Sequence, residues 1–510
     1  MSENSKRVDK KLTVIPLALM CVTSVFMFPN IPRAFLLMGY AAIPWYILAA
    51  ITFLVPFAFM VAEYGAAFKK EKGGIYSWLE KVVGPKYAFI SIFMWYVGWL
   101  VWITLTSNSI WVHFSTILFG KDTTSNWSFL GLNATHTLGL LSIVFVLALT
   151  YTATKGLDKI IKITSVGGIS VAFINIVAFI GAIVVFILNH GHLAQAINVQ
   201  SLLHSPNPGY QSVVSIISFI SFAILAYAGI EVVAGVTDQT ENAEKNFPKG
   251  VLIGAAFIAF CYILGIFAVG IFTSWTGVLN GKDVNMVNVT IIIMNNLGVE
   301  IGRGLSLSTA ASISLGNWLG RFVGLSLFLT YLGALVSYSY SPIKQLVEGT
   351  PKELWPGNLS RIKDGLPKNA MWVQCIIMIL FILFVSLGGQ GASAFFDKLV
   401  LMTNVATTLP YIFIAGAFAK FKKNEEIEKP FVVYKNYKSS LIWTIIVTAT
   451  VLIANVAVII KPALTKGDIA SSLWMIAGPA IFAVVALLMY GRYEKIMKEK
   501  GDLPTSKINA

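Results

Sequence analysis

A glutamate stands inside an otherwise apolar stretch, Phe222-Ala-Ile-Leu-Ala-Tyr-Ala-Gly229-Ile-Glu231-Val-Val-Ala-Gly235. A carboxylate at mid-membrane costs about 2.5–3.5 kcal/mol on insertion scales, so such a group faces a cavity or a partner. Ala228-Gly229 just before it is a place where a helix can break, because glycine tolerates non-helical dihedrals. Two readings are open: a carboxylate working at a helix break, or a packing glycine beside a glutamate paired to a neighbouring helix. A second candidate break is Cys21-Val22-Thr23-Ser24-Val25-Phe26-Met27-Phe28-Pro29, with two adjacent hydroxyls and a proline five residues after Ser24. Proline removes a backbone hydrogen bond and frees carbonyls; alternatively Thr23 and Ser24 bond back to their own helix. Amides freed at a half-helix N-terminus can receive a carboxylate.

Enzyme signatures are missing. The chain has no HExxH, GxSxG or CxxC, and Gly277-Val-Leu-Asn-Gly281-Lys282-Asp283 has the wrong spacing for a phosphate loop. Gly389-Gln-Gly391 lacks a third glycine. A primary pump and a membrane-embedded enzyme are thereby disfavoured, and neither cofactor nor metal is expected. Cys21, Cys261 and Cys375 lie apart in apolar segments, so neither a disulfide framework nor a zinc knuckle is indicated.

The elements that must hold these groups follow from composition. Of 510 residues, 56% are apolar and 12% charged, about half the charged share of a soluble domain. Such a chain is a polytopic helical membrane protein, not a soluble enzyme, a secreted disulfide scaffold or a disordered protein. Apolar runs delimit twelve spans, at about 13–40, 41–67, 87–118, 137–154, 161–189, 212–237, 249–274, 317–346, 371–388, 396–419, 441–460 and 471–490. The first two meet at a tight turn near Gly39 and Pro44, and residues 285–315 read as a re-entrant or interfacial helix interrupted by Asn295, Asn296, Glu300 and Arg303. The apolar run behind the polar N-terminus lacks a small-residue cleavage site and reads as the first span, not a signal peptide.

Net charge is +14. With this topology 30 Lys and Arg fall on the side of the termini; Arg33, Lys121, Lys282, Arg303, Arg321, Lys398, Lys461 and Lys466 fall on the other. That bias predicts cytoplasmic termini. Because the charge is spread over seven segments, nucleic acid is not expected as a partner. His113, His136, His190, His192 and His204 all fall on the outer side, as solvated loop residues or as reporters of external acidity; His190-Gly-His192 could bind a metal weakly.

Candidate breaks in spans 1 and 6, five spans apart, match the offset of inverted-repeat transporters. Together with Glu63-Tyr-Gly-Ala-Ala-Phe-Lys-Lys-Glu-Lys-Gly73-Gly74-Ile-Tyr76-Ser-Trp78 and Gly84-Pro85, they resemble the amino acid–polyamine–organocation superfamily. Ser341-Pro342-Ile-Lys344-Gln-Leu-Val-Glu348-Gly349 and Gly365-Leu-Pro367-Lys-Asn-Ala370 resemble its glutamate/GABA antiporter branch. The resemblance covers roughly residues 12–490. It implies an all-α LeuT-like fold of five plus five inverted spans followed by spans 11 and 12. The divisions would be a cytoplasmic N-tail (1–12), a first repeat (13–189), a second repeat (212–419), spans 11–12 (441–490) and a C-tail (491–510).

It also implies a secondary amino-acid transporter of the plasma membrane working by alternating access, with a small amino acid as substrate and protons as possible coupling ions. Carried over by position, Val22, Thr23 and Ser24 would bind the substrate carboxylate, and Tyr227, Ala228 and Gly229 would supply carbonyls and a wall. Trp95 and Tyr96 would form an aromatic wall, with Trp99 one turn on. Tyr331 and Asn404 are added as polar mid-span residues, and Glu231 and Glu63 are expected in gating or proton coupling. The chain departs from arginine and polyamine exchangers, which carry a glycine-rich first break. It also lacks the span-5 lysine of some proton-coupled relatives, reading Gly167-Gly168-Ile-Ser-Val-Ala-Phe-Ile-Asn175 there, and has no sodium-site signature. The segment after span 12 is shorter than the C-terminal plug of pH-closed antiporters. A substrate sensor on a transporter fold is the alternative, although the longest cytoplasmic loop, about 347–370, is short for a signalling domain.

Overall fold

In a bilayer every backbone polar group must be satisfied within the protein, so spans are helices, and breaks survive only where protein or a cavity covers them. The computed structural model describes residues 12–71, 74–281, 284–387 and 405–501. Among these, ten helices are long and apolar enough to cross a membrane. Each of the twelve expected spans contains helix; span 10 is described from residue 405 onward.

Span 1 is split into 1a (Val14–Val25) and 1b (Asn30–Met38), and a one-turn 3-10 segment at Gly39–Ala41 leads into span 2. Gly39 sits at φ +57°, where a side chain would also press on the Pro206 ring 2.8 Å away. Span 6 is split into 6a (Val213–Tyr227) and 6b, a 3-10 helix over Ile230–Gln239. Spans 3, 5, 7 and 8 are continuous at Pro85–Phe119, Leu157–Leu188, Ala243–Phe272 and Thr309–Tyr338. Residues 285–315 divide between a packed helix, Val289–Gly304, and the first turns of span 8, which starts earlier than expected. The polar groups there are used in packing: Asn296 donates to the Phe272 carbonyl at 2.5 Å and Asn295 to Asn317 Oδ1 at 3.1 Å.

Two sets of helices emerge. Spans 1a, 2, 6 and 7 pack together, whereas span 8 packs against spans 3 and 5, and span 9 against span 4. Burial follows the same division: 78% of the most apolar window of span 3 is buried, against 28% in spans 5 and 12. Span 3 therefore runs through the centre, and spans 5 and 12 present apolar side chains such as Ile169 and Leu488 outward.

One end gathers both described chain ends. Leu12 pairs with the end of span 6b, its amide reaching the Gln239 carbonyl at 2.9 Å and its carbonyl the Glu241 amide at 2.9 Å. Lys86 lies 3.9 Å from Glu494 and Lys500 3.9 Å from Glu353. A Cβ on Gly74 would lie 3.5 Å from both Gly235 N and Gln345 Oε1. Lys69 pairs with Glu244 at 2.5 Å, and this hydrogen-bonded partner raises the lysine's pKa.

Candidate functional site

The span 6 break is made by two residues. Ala228 leaves the helix in an extended conformation (φ −67°, ψ 146°), and Gly229 takes φ +113°, which a side chain would resist. There is a second reason for glycine: a Cβ here would stand 2.8 Å from the Ser24 carbonyl oxygen. The absent side chain lets the breaks of spans 1 and 6 touch.

The Glu231 carboxylate lies over this break, fully buried. Oε1 accepts from Trp95 Nε1 of span 3 at 3.0 Å and from the Tyr411 hydroxyl of span 10 at 2.9 Å; Oε2 accepts from the Gly229 amide at 3.2 Å. The same amide lies 3.0 Å from the Tyr411 oxygen. Tyr411 is itself wedged edge-on against Phe53 and Phe57. All the donors are neutral, and among the described residues no Lys, Arg or His forms an ion pair with Glu231.

In span 1 the helix runs past Val22, Thr23 and Ser24 to Val25, and the irregular stretch is residues 26–29. Pro29 explains the offset, since it offers no N–H to the carbonyl four residues back, that of Val25. Tyr262 of span 7 supplies the missing donor: its hydroxyl reaches the Val25 carbonyl at 3.3 Å and accepts from the Met27 amide at 3.0 Å and from Asn30 Nδ2 at 3.3 Å. The hydroxyls of Thr23 and Ser24 bond back to their own helix, at Leu19 O (2.9 Å) and Met20 O (2.7 Å). The amides of Asn30 and Ile31 turn onto the carbonyls of Met27 and Phe28, so few amides at this break remain open to an anion.

Above the paired breaks lies a cavity of about 560 Å³. Its lining runs from Ser24 and Ala228 to Lys461, Lys466 and Asp468, at the end opposite the chain termini. Trp99, Trp102 and Tyr338 form one wall, with the Trp99 and Tyr338 rings stacked at 4.3 Å and 11°. Below the breaks, the end that holds the termini is bridged by the Leu12, Lys69 and Gly74 contacts described above.

The expected site residues separate into three groups. Ser24, Ala228 and Tyr331 line the cavity. Trp95 and Gly229 hold Glu231, next to the cavity floor. The others face elsewhere: Val22 and Thr23 are off the cavity lining, Tyr227 donates to the Tyr46 carbonyl (3.2 Å), and Tyr96 donates to Gln374 (3.0 Å). The aromatic wall thus stands one turn further along span 3 than Trp95 and Tyr96. Glu63 belongs to a different place, at the end that holds the termini, where it meets Lys422 at 2.7 Å and the amides of Val433 and Tyr434 at 2.8 and 2.9 Å. Asn404 lies outside the described residues. Sequence reasoning missed Arg33, Tyr262, Tyr338 and Tyr411. For span 3 a signal existed in the Trp95, Trp99, Trp102 stripe at helical spacing, whereas the tyrosines come from distant spans.

Comparison with known proteins agrees with this architecture. The family model described as amino acid permease matches residues 12–487. The chain is 49% identical to "Inner membrane transporter YjeM" of Escherichia coli over 485 residues, covering 95% of this chain and 96% of that protein. It is 23% identical to "Aspartate/glutamate permease AcaP" of Lactococcus lactis subsp. cremoris, over 80% of this chain and 79% of the relative. With "Glutamate/gamma-aminobutyrate antiporter" of Lactococcus lactis subsp. lactis the identity is 21%, over 76% and 71%.

Proposed function

Since the chain belongs to the amino acid permease family and is a secondary amino-acid transporter of the multi-pass membrane type rather than an enzyme, we propose that it carries its substrate at the paired breaks by alternating access, with Glu231 as the coupling carboxylate. The observation that carries this reading is the contact of Gly229 with the Ser24 carbonyl at the floor of the cavity. Helix breaks in a membrane are sustained only where protein or a cavity covers them, and both of these breaks reach the cavity. The substrate ammonium meets the Ser24 carbonyl and, behind Gly229, the Glu231 carboxylate. Its carboxylate meets the side-chain amide of Asn30, which lines the cavity and spends only one of its two N–H groups on Tyr262, because few backbone amides at the span 1 break are open. Trp99 and Tyr338 close over the substrate.

Glu231 is surrounded by neutral donors. A proton or the substrate ammonium is what remains to neutralise it, and either event changes the charge that the closed site must bury. Exchange of one substrate for another need not move that proton; net uptake does.

The 30-to-8 distribution of Lys and Arg supports cytoplasmic termini, and with that orientation the cavity opens outward. Cysteines placed at Lys363, Lys438 and His192 and probed with an impermeant thiol reagent test it: only the last should label from outside. Function itself is tested with purified protein in liposomes and a panel of labelled amino acids. A transporter accumulates or exchanges label within the lumen; a sensor binds it without moving it, and that outcome would displace the proposal.

A further inference from the structure

The cavity carries an excess of positive charge that its structural contacts do not consume. Arg33, Lys461 and Lys466 line it against the single carboxylate of Asp468. The two other arginines at that end are already occupied: Arg321 donates to the carbonyls of Ile117 (2.8 Å) and Leu118 (2.6 Å), and Arg303 pairs with Glu300 at 2.7 Å. Arg33 differs. Its Nε donates to the Met286 carbonyl at 2.7 Å and its Nη2 to the Tyr331 hydroxyl at 3.3 Å. Both partners are neutral, and among the described residues no carboxylate pairs with Arg33.

A guanidinium has five N–H donors. Two are spent here, leaving three and the whole charge for something in the cavity. The side chain is also held in place. Tyr331 is stacked flat on His113 at 5.1 Å and 5°, and His113 is only 2% exposed, so the hydroxyl that fixes Nη2 cannot wander. A fixed, half-buried guanidinium with unspent donors matches the planar, two-oxygen geometry of a carboxylate.

We propose that Arg33 selects amino acids with an anionic side chain, by receiving that side chain's carboxylate. This rests on the reading that the α-amino group is held at the paired breaks. The position of Arg33 is what separates side-chain from α-carboxylate. It lies four residues after Pro29, about 6 Å along the axis of span 1b, towards the open end of the cavity. An α-carboxylate is one carbon away from the ammonium and stays near the breaks. A second carboxylate, two or three carbons beyond the first, reaches one turn further. Lys461 and Lys466 near the mouth add a field that favours entry of an anion.

The experiment is uptake by purified protein in liposomes of labelled L-glutamate and its neutral isostere L-glutamine, for the unmodified protein, Arg33→Gln and Arg33→Lys. The unmodified protein should prefer glutamate, and Arg33→Gln should reduce the glutamate-over-glutamine ratio of kcat/KM about ten- to a hundredfold, as loss of a hydrogen bond to a charged group implies. Arg33→Lys should keep part of the preference. An unchanged ratio in Arg33→Gln, with both substrates slowed equally, would overturn the proposal and assign Arg33 to the α-carboxylate or to cavity shape. If Arg33→Gln does not fold, competition on the unmodified protein decides: aspartate and glutamate should displace label far better than asparagine and glutamine. Transport of neutral amino acids with no competition by glutamate overturns the Arg33 assignment and leaves the paired-break site intact. Transport of no amino acid at all by folded protein overturns both.

Discussion

Two glutamates, Glu63 and Glu231, are buried to the same extent, with no exposed surface on either, and their surroundings are opposite. Glu63 has a counter-charge: Lys422, whose side chain is 6% exposed, lies 2.7 Å away, and two backbone amides complete the contacts. Those partners belong to the segment between spans 10 and 11, so Glu63 ties that segment to span 2. Glu231 has donors but no cation, and its partners are a tryptophan, a tyrosine and the amide of a helix break. A buried charge that is already cancelled can act as a fastener. One met only by dipoles is sensitive to whatever positive charge arrives, and of the two only the second adjoins the cavity. Both were expected from sequence to serve gating or proton coupling; we assign coupling to Glu231 and fastening to Glu63.

The largest effect expected from this contrast is on stability. Glu63→Gln leaves Lys422 buried and uncompensated, a loss of about 3–5 kcal/mol, to be read as a lower unfolding temperature in detergent. Adding Lys422→Met should restore most of it, because the uncompensated charge is then gone. If the single variant unfolds like the unmodified protein, Glu63 is not a fastener. Next comes Gly229→Ala. The strained φ costs about 1–3 kcal/mol, and the added Cβ pushes the two breaks apart at the Ser24 oxygen. Uptake should be abolished while protein still inserts; retained uptake would mean that the contact is dispensable. The smallest effect is that of Tyr411→Phe, which removes one donor from Glu231 and should cost about 1.5 kcal/mol. It should slow uptake and displace its pH profile, whereas a purely structural hydroxyl would leave the profile in place.

How far the sequence discloses these two regions depends on the range of the contacts. The span 6 break is written locally: Gly229 beside a membrane glutamate is enough to place it. The span 1 break is expected a few residues early, because the hydroxyls of Thr23 and Ser24 draw attention while the proline acts on Val25, four residues before itself. The aromatic wall is expected one turn away, since a stripe of Trp95, Trp99 and Trp102 covers more than one contact and only packing against Tyr338 selects Trp99 and Trp102. The surroundings of Glu231 are beyond local pattern altogether. Trp95 lies 136 residues before it and Tyr411 180 after it; a sequence shows the carboxylate but not whether its distant partners are cationic or neutral. The same holds for Glu63, 359 residues from Lys422.

The central claim is that Glu231 links substrate movement to protons. It is tested most directly by net uptake into liposomes containing Glu231→Gln, with and without an imposed pH gradient, beside the unmodified protein. The account predicts that the gradient drives net uptake by the unmodified protein, and that Glu231→Gln folds, still exchanges substrate at weaker affinity through the remaining Ser24 carbonyl, and loses most of the gradient dependence. A Glu231→Gln protein whose net uptake follows the pH gradient as the unmodified protein does would contradict the account and make Glu231 a structural carboxylate.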